Sequence, residues 1–290
     1  LAGQLREDRI REGWEVMEYD LTYISLGAGR QSTALAICSA LGLHGVPKAS
    51  CSIFADTQDE NQETYHHLDR MESFLKEHEI PLHKVTVGKL SDVIFGKIPA
   101  PKKGFPVSIP AWTDGGLVRR QCTAHFKLDP IQAEARRLLG YEKGDRIAGK
   151  KMARAMIGIS MEEISRMKPS RTPWIFNHYP LIDARLRVED CMKICKEHLG
   201  YIPGKSACVY CPYHDDRFFL DMKTDHPEEF EIACQVDEEI RNKTRDGAER
   251  PVFVHKSLVP LRDVDFETLV NDPSQLNLWN NACDSGVCGI

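Results

Sequence analysis

Apolar and polar positions alternate in blocks along this chain. Residues 21–27 (LTYISLG) form an apolar, β-branched run closed by glycine and predict a buried strand. Leu35, Cys38 and Leu41 follow at three-residue spacing and predict a helix over about 32–43. Residues 49–55 (ASCSIFA) predict a second strand. Glu60 to His78, with Leu68, Met71 and Leu75 on one face, predicts a second helix, and Leu82 to Val87 a third strand. From Gly88 to Val118 the periodicity fails, and Pro99, Pro101, Pro106 and Pro110 predict a long loop. Lys127–Leu139 reads as a helix with Pro130 in its first turn. Residues 154–159 read as a strand, Met161–Met167 as a short helix, Tyr179–Ile182 as a strand and Val188–Leu199 as a helix. Strands alternating with helices predict an α/β fold, a parallel sheet with helices on both faces.

Three regions follow: an amphipathic N-terminal helix over 1–20, the α/β domain over 21–200, and a cysteine-bearing helical region with a polar tail over 201–290. Composition is that of a globular chain, with 42% hydrophobic and 28% charged residues in 290. No apolar run reaches the roughly 18 residues that cross a bilayer. The charged N-terminus lacks the apolar centre of a signal peptide, so a cytoplasmic protein with no membrane partner is expected. Net charge is -5, yet residues 119–171 hold thirteen Lys/Arg against six Asp/Glu. Such a stretch is either a set of solvated helix faces or a basic wall around a phosphate-bearing ligand or nucleic acid.

Candidate chemistry begins where the first strand meets its helix. Gly27, Ala28, Gly29, Arg30, Gln31, Ser32 and Thr33 form a glycine-bearing strand-to-helix turn. Glycines let the backbone approach an anion, and a helix start offers N–H groups and a positive dipole end. Neither GxxxxGK[ST] nor a complete GxGxxG is present, so tight-turn packing stands beside phosphate binding as a reading.

Gly27 to Ser32 resembles the PP-loop, SGGxDS, of the ATP pyrophosphatases and phosphoadenosine phosphosulfate (PAPS) reductases. Gly27 stands for the first serine, Ala28 for the first glycine and Gln31 for the aspartate. Asp56-Thr57 with Glu63-Thr64 resembles their DTGxxFxET. Arg120-Gln121-Cys122, then Lys127 and Pro130-Ile131, resembles R-C-C-x-x-x-K-x-x-P-L with one extra residue before the lysine. Gly158-Ile159-Ser160 with Glu163 and Arg166 resembles GxRxxES, and Tyr179-Pro180-Leu181 before Asp190-Cys191 resembles P-L-x-x-W-x-x-x-D-V. The order of these segments is that of the family. The resemblance implies a Rossmann-like adenine nucleotide alpha-hydrolase fold that binds ATP or another adenine nucleotide, with Mg2+ as a companion ion. It places the nucleotide on residues 27–33, Asp56 and Thr57. Asp56 could equally be a helix cap at a strand end, and Arg166 an ordinary surface charge.

Ten cysteines in a chain expected to be cytosolic call for metal, cluster or redox chemistry rather than disulfides. Cys208-Val209-Tyr210-Cys211 is a CxxC, readable as half a zinc site, a redox dithiol or part of an iron–sulfur cluster. In cluster-bearing relatives a Cys-Cys pair lies a similar distance upstream of a CxxC and completes a [4Fe-4S] site. Here Gln121 replaces the first cysteine of that pair. Cys191 is the expected substitute, giving Cys122, Cys191, Cys208 and Cys211, with Cys195 or an open iron as alternatives and zinc as the competing metal. Cys288-Gly289-Ile290 resembles the reactive tail E-C-G-[LI]-H without its Glu and His, and makes Cys288 a candidate nucleophile.

The resemblance implies two enzymes on one site. In one, a substrate oxygen, with nucleic acid as one candidate substrate, is adenylated and then replaced by sulfur from a cysteine desulfurase or other thiol donor. This is similar to tRNA thiolation and DNA phosphorothioation. In the other, PAPS or its unphosphorylated analogue is reduced with release of sulfite. In both, Arg120 and Lys127 flank Cys122 and would stabilise charge on the transferred group, assisted by Arg166. Ser160 stands where the reductases place an arginine, which favours sulfur transfer. A third reading is a non-catalytic nucleotide-binding subunit with a structural metal.

Overall fold

The computed structural model describes residues 18–100, 109–118, 122–142, 144–147, 151–241 and 251–271. The expected helix at 1–20 lies almost wholly outside them, as do Arg120, Gln121, Cys283 and Cys288.

Five parallel strands form the central sheet in the order β3-β2-β1-β6-β7. They are β1 (Leu21–Ser25), β2 (Cys51–Ala55), β3 (Leu82–Val85), β6 (Ala153–Ile157) and β7 (Ile175–His178). A small antiparallel hairpin, β4 (Ala111–Thr113) with β5 (Gly116–Val118), lies between β3 and β6 in the chain. The sheet grows outward from β1 in one direction, then resumes on β1's other side. Tyr23 pairs with Cys51 on one flank and with Ala155 on the other.

Period-two alternation divides the strand residues between two layers. Ile24, Leu26 and Phe54 pack under α1 (Arg30–Leu41), α2 (Gln62–Glu77) and α6 (Val188–Leu199), through Leu35, Leu68, Met71 and Ile194. Leu21, Tyr23, Cys51, Ile53 and Ala155 face Ile131 and Ala135 of α4 (Asp129–Leu138). Helices therefore cover both faces, as the block pattern predicts.

A third apolar cluster lies apart from these layers. It joins α7 (Asp216–Asp225), α8 (Pro227–Arg241) and α9 (Phe266–Asn271) through Phe219, Met222, Phe230, Val236 and Phe266. Val209 and Tyr210 of the CxxC insert into it, as do Leu90 and Ile94 of α3 (Leu90–Ile94).

Three expectations need correction. The fifth strand runs over Ile175–His178, not 179–182. Pro180 instead opens the short helix α5 (Pro180–Asp183), where its fixed φ and missing N–H suit a first helical position. The segment 88–118 is not one loop, since it contains α3 and the hairpin. The helix expected from Lys127 starts earlier, as a π-helical stretch at Thr123–Leu128 that runs into α4. No helix among the described residues is long and apolar enough to cross a membrane.

Candidate functional site at the carboxyl edge of the sheet

Strand order places a crevice between β1 and β6, where the direction of sheet growth reverses. In open α/β sheets ligands bind at that position, beyond the carboxyl ends of the strands. The loop 26–29 leaves β1 here. Ala28 has φ +56 and is buried, a left-handed conformation that costs a non-glycine residue roughly 1 kcal/mol. Gly29 then caps α1 in an extended conformation. The Ser32 hydroxyl accepts from Gly29 N at 3.2 Å and donates to Gly29 O at 3.1 Å, which ties the turn to the first helical turn. The first intrahelical bond runs from Thr33 N to Gly29 O at 3.0 Å. The amides ahead of it have no intrahelical acceptor.

From the neighbouring strand, Gly158 closes on this turn. A Cβ at Gly158 would lie 2.7 Å from both Cα and N of Ser32 and 2.9 Å from the Gln31 carbonyl carbon. Backbone therefore meets backbone, and only glycine allows it. Two residues on, the Ser160 hydroxyl is fully buried and makes no hydrogen bond; the Gln31 side-chain Nε2 is likewise buried and unpartnered. Buried polar groups are nearly always satisfied, so these two orphans stand out on the elements flanking this crevice.

Arg166 also lies beyond β6. Its guanidinium is 2.5 Å from Glu163. Burial pushes the Glu163 carboxyl up and Arg166 opposes that shift. Arg30 donates from Nε to Pro203 O at 3.4 Å, bringing the segment that leads to the CxxC alongside the start of α1.

Beneath the turn, Thr33 Oγ1 is 2.9 Å from His67 Nε2, and His67 Nδ1 is 2.8 Å from the Tyr201 hydroxyl. Burial, reinforced by Arg70, lowers the His67 pKa to about 4. A folded value below the unfolded one means that the unfolded chain binds the extra proton first. The stability is thus complete above the unfolded value of 6.5 and is lost as pH falls towards 4. At about 1.4 kcal/mol per pH unit this amounts to about 3 kcal/mol. Urea midpoints measured between pH 7 and 4 are expected to fall accordingly, and His67→Gln to flatten that fall; equal slopes in both proteins would refute the assignment.

The loop after β2 forms the next part of the edge. Asp56 Oδ1 accepts from Gln58 N at 2.7 Å and from the Tyr65 hydroxyl at 3.0 Å. It does not cap α2, because Asn61 does so through Thr64 N at 2.8 Å. Thr57 Oγ1 lies 3.1 Å from Cys208 Sγ. Glu60 bridges to Cys208 through the backbone, and its carboxylate holds Lys127 Nζ at 3.0 Å and the Ser206 hydroxyl at 3.0 Å. Asp59 accepts from Ser91 N, Ser91 Oγ and the Tyr210 hydroxyl at 2.7, 2.9 and 2.8 Å, so it fastens the CxxC turn to α3.

Burial pushes the Cys208 thiol well up and the Glu60 carboxylate adds to this, while Lys127 and the Thr57 hydrogen bond work against it; Cys122 is also an electrostatic neighbour. Lys127 reaches this group from the π-helical stretch. The extra residue before the lysine, noted against the family motif, falls where the π turn widens the helix by one residue.

Cys191 does not join them. It is fully buried on the face of α6 that packs with Cys38 and Cys195 in the core under α1, where burial and those thiols push its own thiol up. Among the described residues no group of three or more His, Cys, Asp or Glu side chains is placed to hold a metal ion. Of the expected set Cys122, Cys191, Cys208 and Cys211, Cys122 and Cys208 are neighbours, whereas Cys191 lies apart in the core under α1. The reason is helical geometry: the α6 face carrying Cys191 is committed to the core.

Among the described residues of the basic stretch, several side chains have partners within the protein. Lys127 and Arg166 pair with Glu60 and Glu163, and Arg137 pairs with Glu134 at 2.7 Å. Lys151 donates to Leu139 O, and Arg154 stacks over the Tyr19 ring. Sequence reading missed Asp59, Glu60 and His67 as organising residues, although the i, i+3 spacing of Glu163 and Arg166 was legible.

This is a doubly wound α/β protein. No family model and no curated protein matches the sequence. Among solved structures it is similar to phosphoadenylyl-sulfate (PAPS) reductase from Candida auris in a phosphate complex. The identity is 15% and the TM-score 0.38, over 64% of this chain and 76% of that one.

Proposed function

We propose that this chain is a PAPS reductase-like, PP-loop enzyme that binds an adenine nucleotide at the β1–β6 crevice and uses it to exchange a substrate oxygen for sulfur. The observation that carries the reading is the pair of buried, unpartnered donors, Gln31 Nε2 and Ser160 Oγ, on the elements that Gly158 brings into backbone contact. Donors of this kind, with the start of a 12-residue helix, suit the phosphates of a nucleotide. The ordered motif resemblance names adenine as its base.

In this reading the turn 27–32 and Ser160 orient the nucleotide so that a substrate oxygen attacks the α-phosphorus and pyrophosphate leaves. Hydrosulfide released by a sulfur donor then attacks the adenylated centre, AMP leaves with the oxygen, and the sulfur keeps no bond to its donor. No step is assigned to a metal cluster. Cys208, protonated at rest, stands at the same sheet edge beside Thr57, Glu60 and Lys127.

Titration calorimetry with ATP, followed by assay of pyrophosphate with RNA, DNA or small-molecule acceptors, tests the reading. Gln31→Glu keeps the shape but sets a carboxylate beside the phosphates, and is expected to weaken ATP binding at least about tenfold. Sulfite release from PAPS without pyrophosphate release from ATP would replace sulfur transfer by reduction. Nucleotide binding without either product would leave a binding subunit, and no nucleotide binding at all would overturn the site.

A further inference from the structure

Away from the crevice, at the edge of the C-terminal helical cluster, a serine, a histidine and a carboxylate form a hydrogen-bonded line. Ser257 Oγ is 2.7 Å from His255 Nδ1, and His255 Nε2 is 2.7 Å from Asp216 Oδ1. Asp216 Oδ2 takes Lys256 Nζ at 2.8 Å. We propose that Ser257 is a nucleophile activated by His255 and Asp216, and that this centre accepts acyl groups from small esters.

The geometry assigns the protons. Ionised Asp216 accepts only, so His255 carries its proton on Nε2 and donates it there. The Nδ1 lone pair then accepts the Ser257 O–H, with Ser257 N also 3.2 Å away. Burial works to raise the Asp216 carboxyl, but hydrogen bonds from His255 and Lys256 hold it below its ordinary range, which keeps it ionised. His255 is buried, with Phe219 and Phe266 edge-on to its ring at 6.1 and 5.4 Å. These rings screen the imidazole and fix its plane.

Ser257, by contrast, is exposed. The next residue, Leu258, has φ +58, a left-handed conformation unfavourable to a branched side chain, in the turn that presents the serine. Strain of this kind at a hydroxyl resting on a base is a recurring mark of reactive sites.

The reaction balances without a co-reactant other than water. Ser257 Oγ attacks the ester carbonyl, and its proton passes to Nδ1 while Asp216 stabilises the imidazolium. The ester C–O bond breaks and the leaving alkoxide takes that proton. Water, deprotonated by the same nitrogen, then attacks the acyl-serine, releases the acid and restores the hydroxyl. Ser257 and His255 are the reacting groups; Asp216 positions His255.

The test uses the full chain, a fluorophosphonate probe and peptide mass spectrometry. A single adduct on Ser257 is expected, absent in Ser257→Ala and absent after denaturation in urea. His255→Gln is expected to slow labelling about 100-fold. Should that buried variant fail to fold, p-nitrophenyl acetate gives a second readout: an initial burst in the native chain, lost in Ser257→Ala, whose exposed site leaves the fold intact. Adduct formation at Ser257 no faster than at other exposed serines, with no burst, would overturn the proposal and leave the hydrogen bond as a turn contact. Nucleotide binding by Ser257→Ala is expected to be unchanged, so this test stands apart from that of the crevice.

Discussion

Replacing Gly158 with alanine is expected to cost both the crevice and part of the fold. The added methyl would sit 2.7 Å from Cα and N of Ser32. Neither atom can rotate away, because Ser32 lies in the first turn of α1 and its hydroxyl is tied to Gly29. Either β6 or the start of α1 must move. Overpacking of this kind destabilises by about 1–3 kcal/mol, which lowers the melting temperature by roughly 5 °C in a chain of this size. Ligand binding suffers more, since Gly158 sets the spacing between the turn 27–32 and Ser160. A loss of at least about 100-fold in ATP affinity is expected, equivalent to about 2.7 kcal/mol. Differential scanning fluorimetry and calorimetry on the same sample read the two effects separately. Unchanged binding in Gly158→Ala would remove the crevice from consideration.

The second large effect is expected from Asp59→Ala. That carboxylate receives Ser91 N, Ser91 Oγ and the Tyr210 hydroxyl. Removing it strands all three donors in a buried place, at a combined cost of about 4 kcal/mol. The consequence reaches beyond stability. Tyr210 stands inside the CxxC, and Val209 N donates to the Asp59 carbonyl. Loss of the side-chain anchor loosens the turn that holds the half-buried Cys208. Urea denaturation should show the lost stability, and iodoacetamide should alkylate Cys208 faster than in the native chain. Asp59→Asn, which keeps an acceptor, is expected to fall between the two. A native-like alkylation rate in a destabilised Asp59→Ala would mean that the turn is held by its backbone alone.

The long-range architecture could be read from period and residue type. The run 21–27 is short, apolar and β-branched, and 49–55 is short and largely apolar, so both read as buried strands between helices. Segments of fewer than two full periods were not legible: α3 has five residues, and β4 and β5 three each. Pro180 was read as part of a strand because its neighbours are apolar, although a proline at a helix start is physically the better fit. At the crevice, Gly27 to Thr33 announced themselves by glycine content, whereas the unpartnered state of the Ser160 hydroxyl is visible only from its burial in the structure. Cys191 shows the converse: it packs in the core under α1. Nearness in sequence to the CxxC suggested a shared site, but residue type alone does not say which face of α6 turns towards the core. Residue type alone suggests Lys127 and Arg166 as charges for a substrate, yet each has a buried carboxylate, Glu60 and Glu163, within reach.

Strand order carries a consequence for synthesis. The part of the sheet formed by β3, β2 and β1 is complete once β3 has left the ribosome, but β1 then has a bare flank. The wall formed by Gly158, Ser160 and Arg166 arrives only some seventy residues later, at about ten residues per second several seconds afterwards. During that interval the nascent chain exposes one edge of its innermost strand and has no pocket to stabilise with a ligand, which makes this window the stage at which a chaperone would matter most.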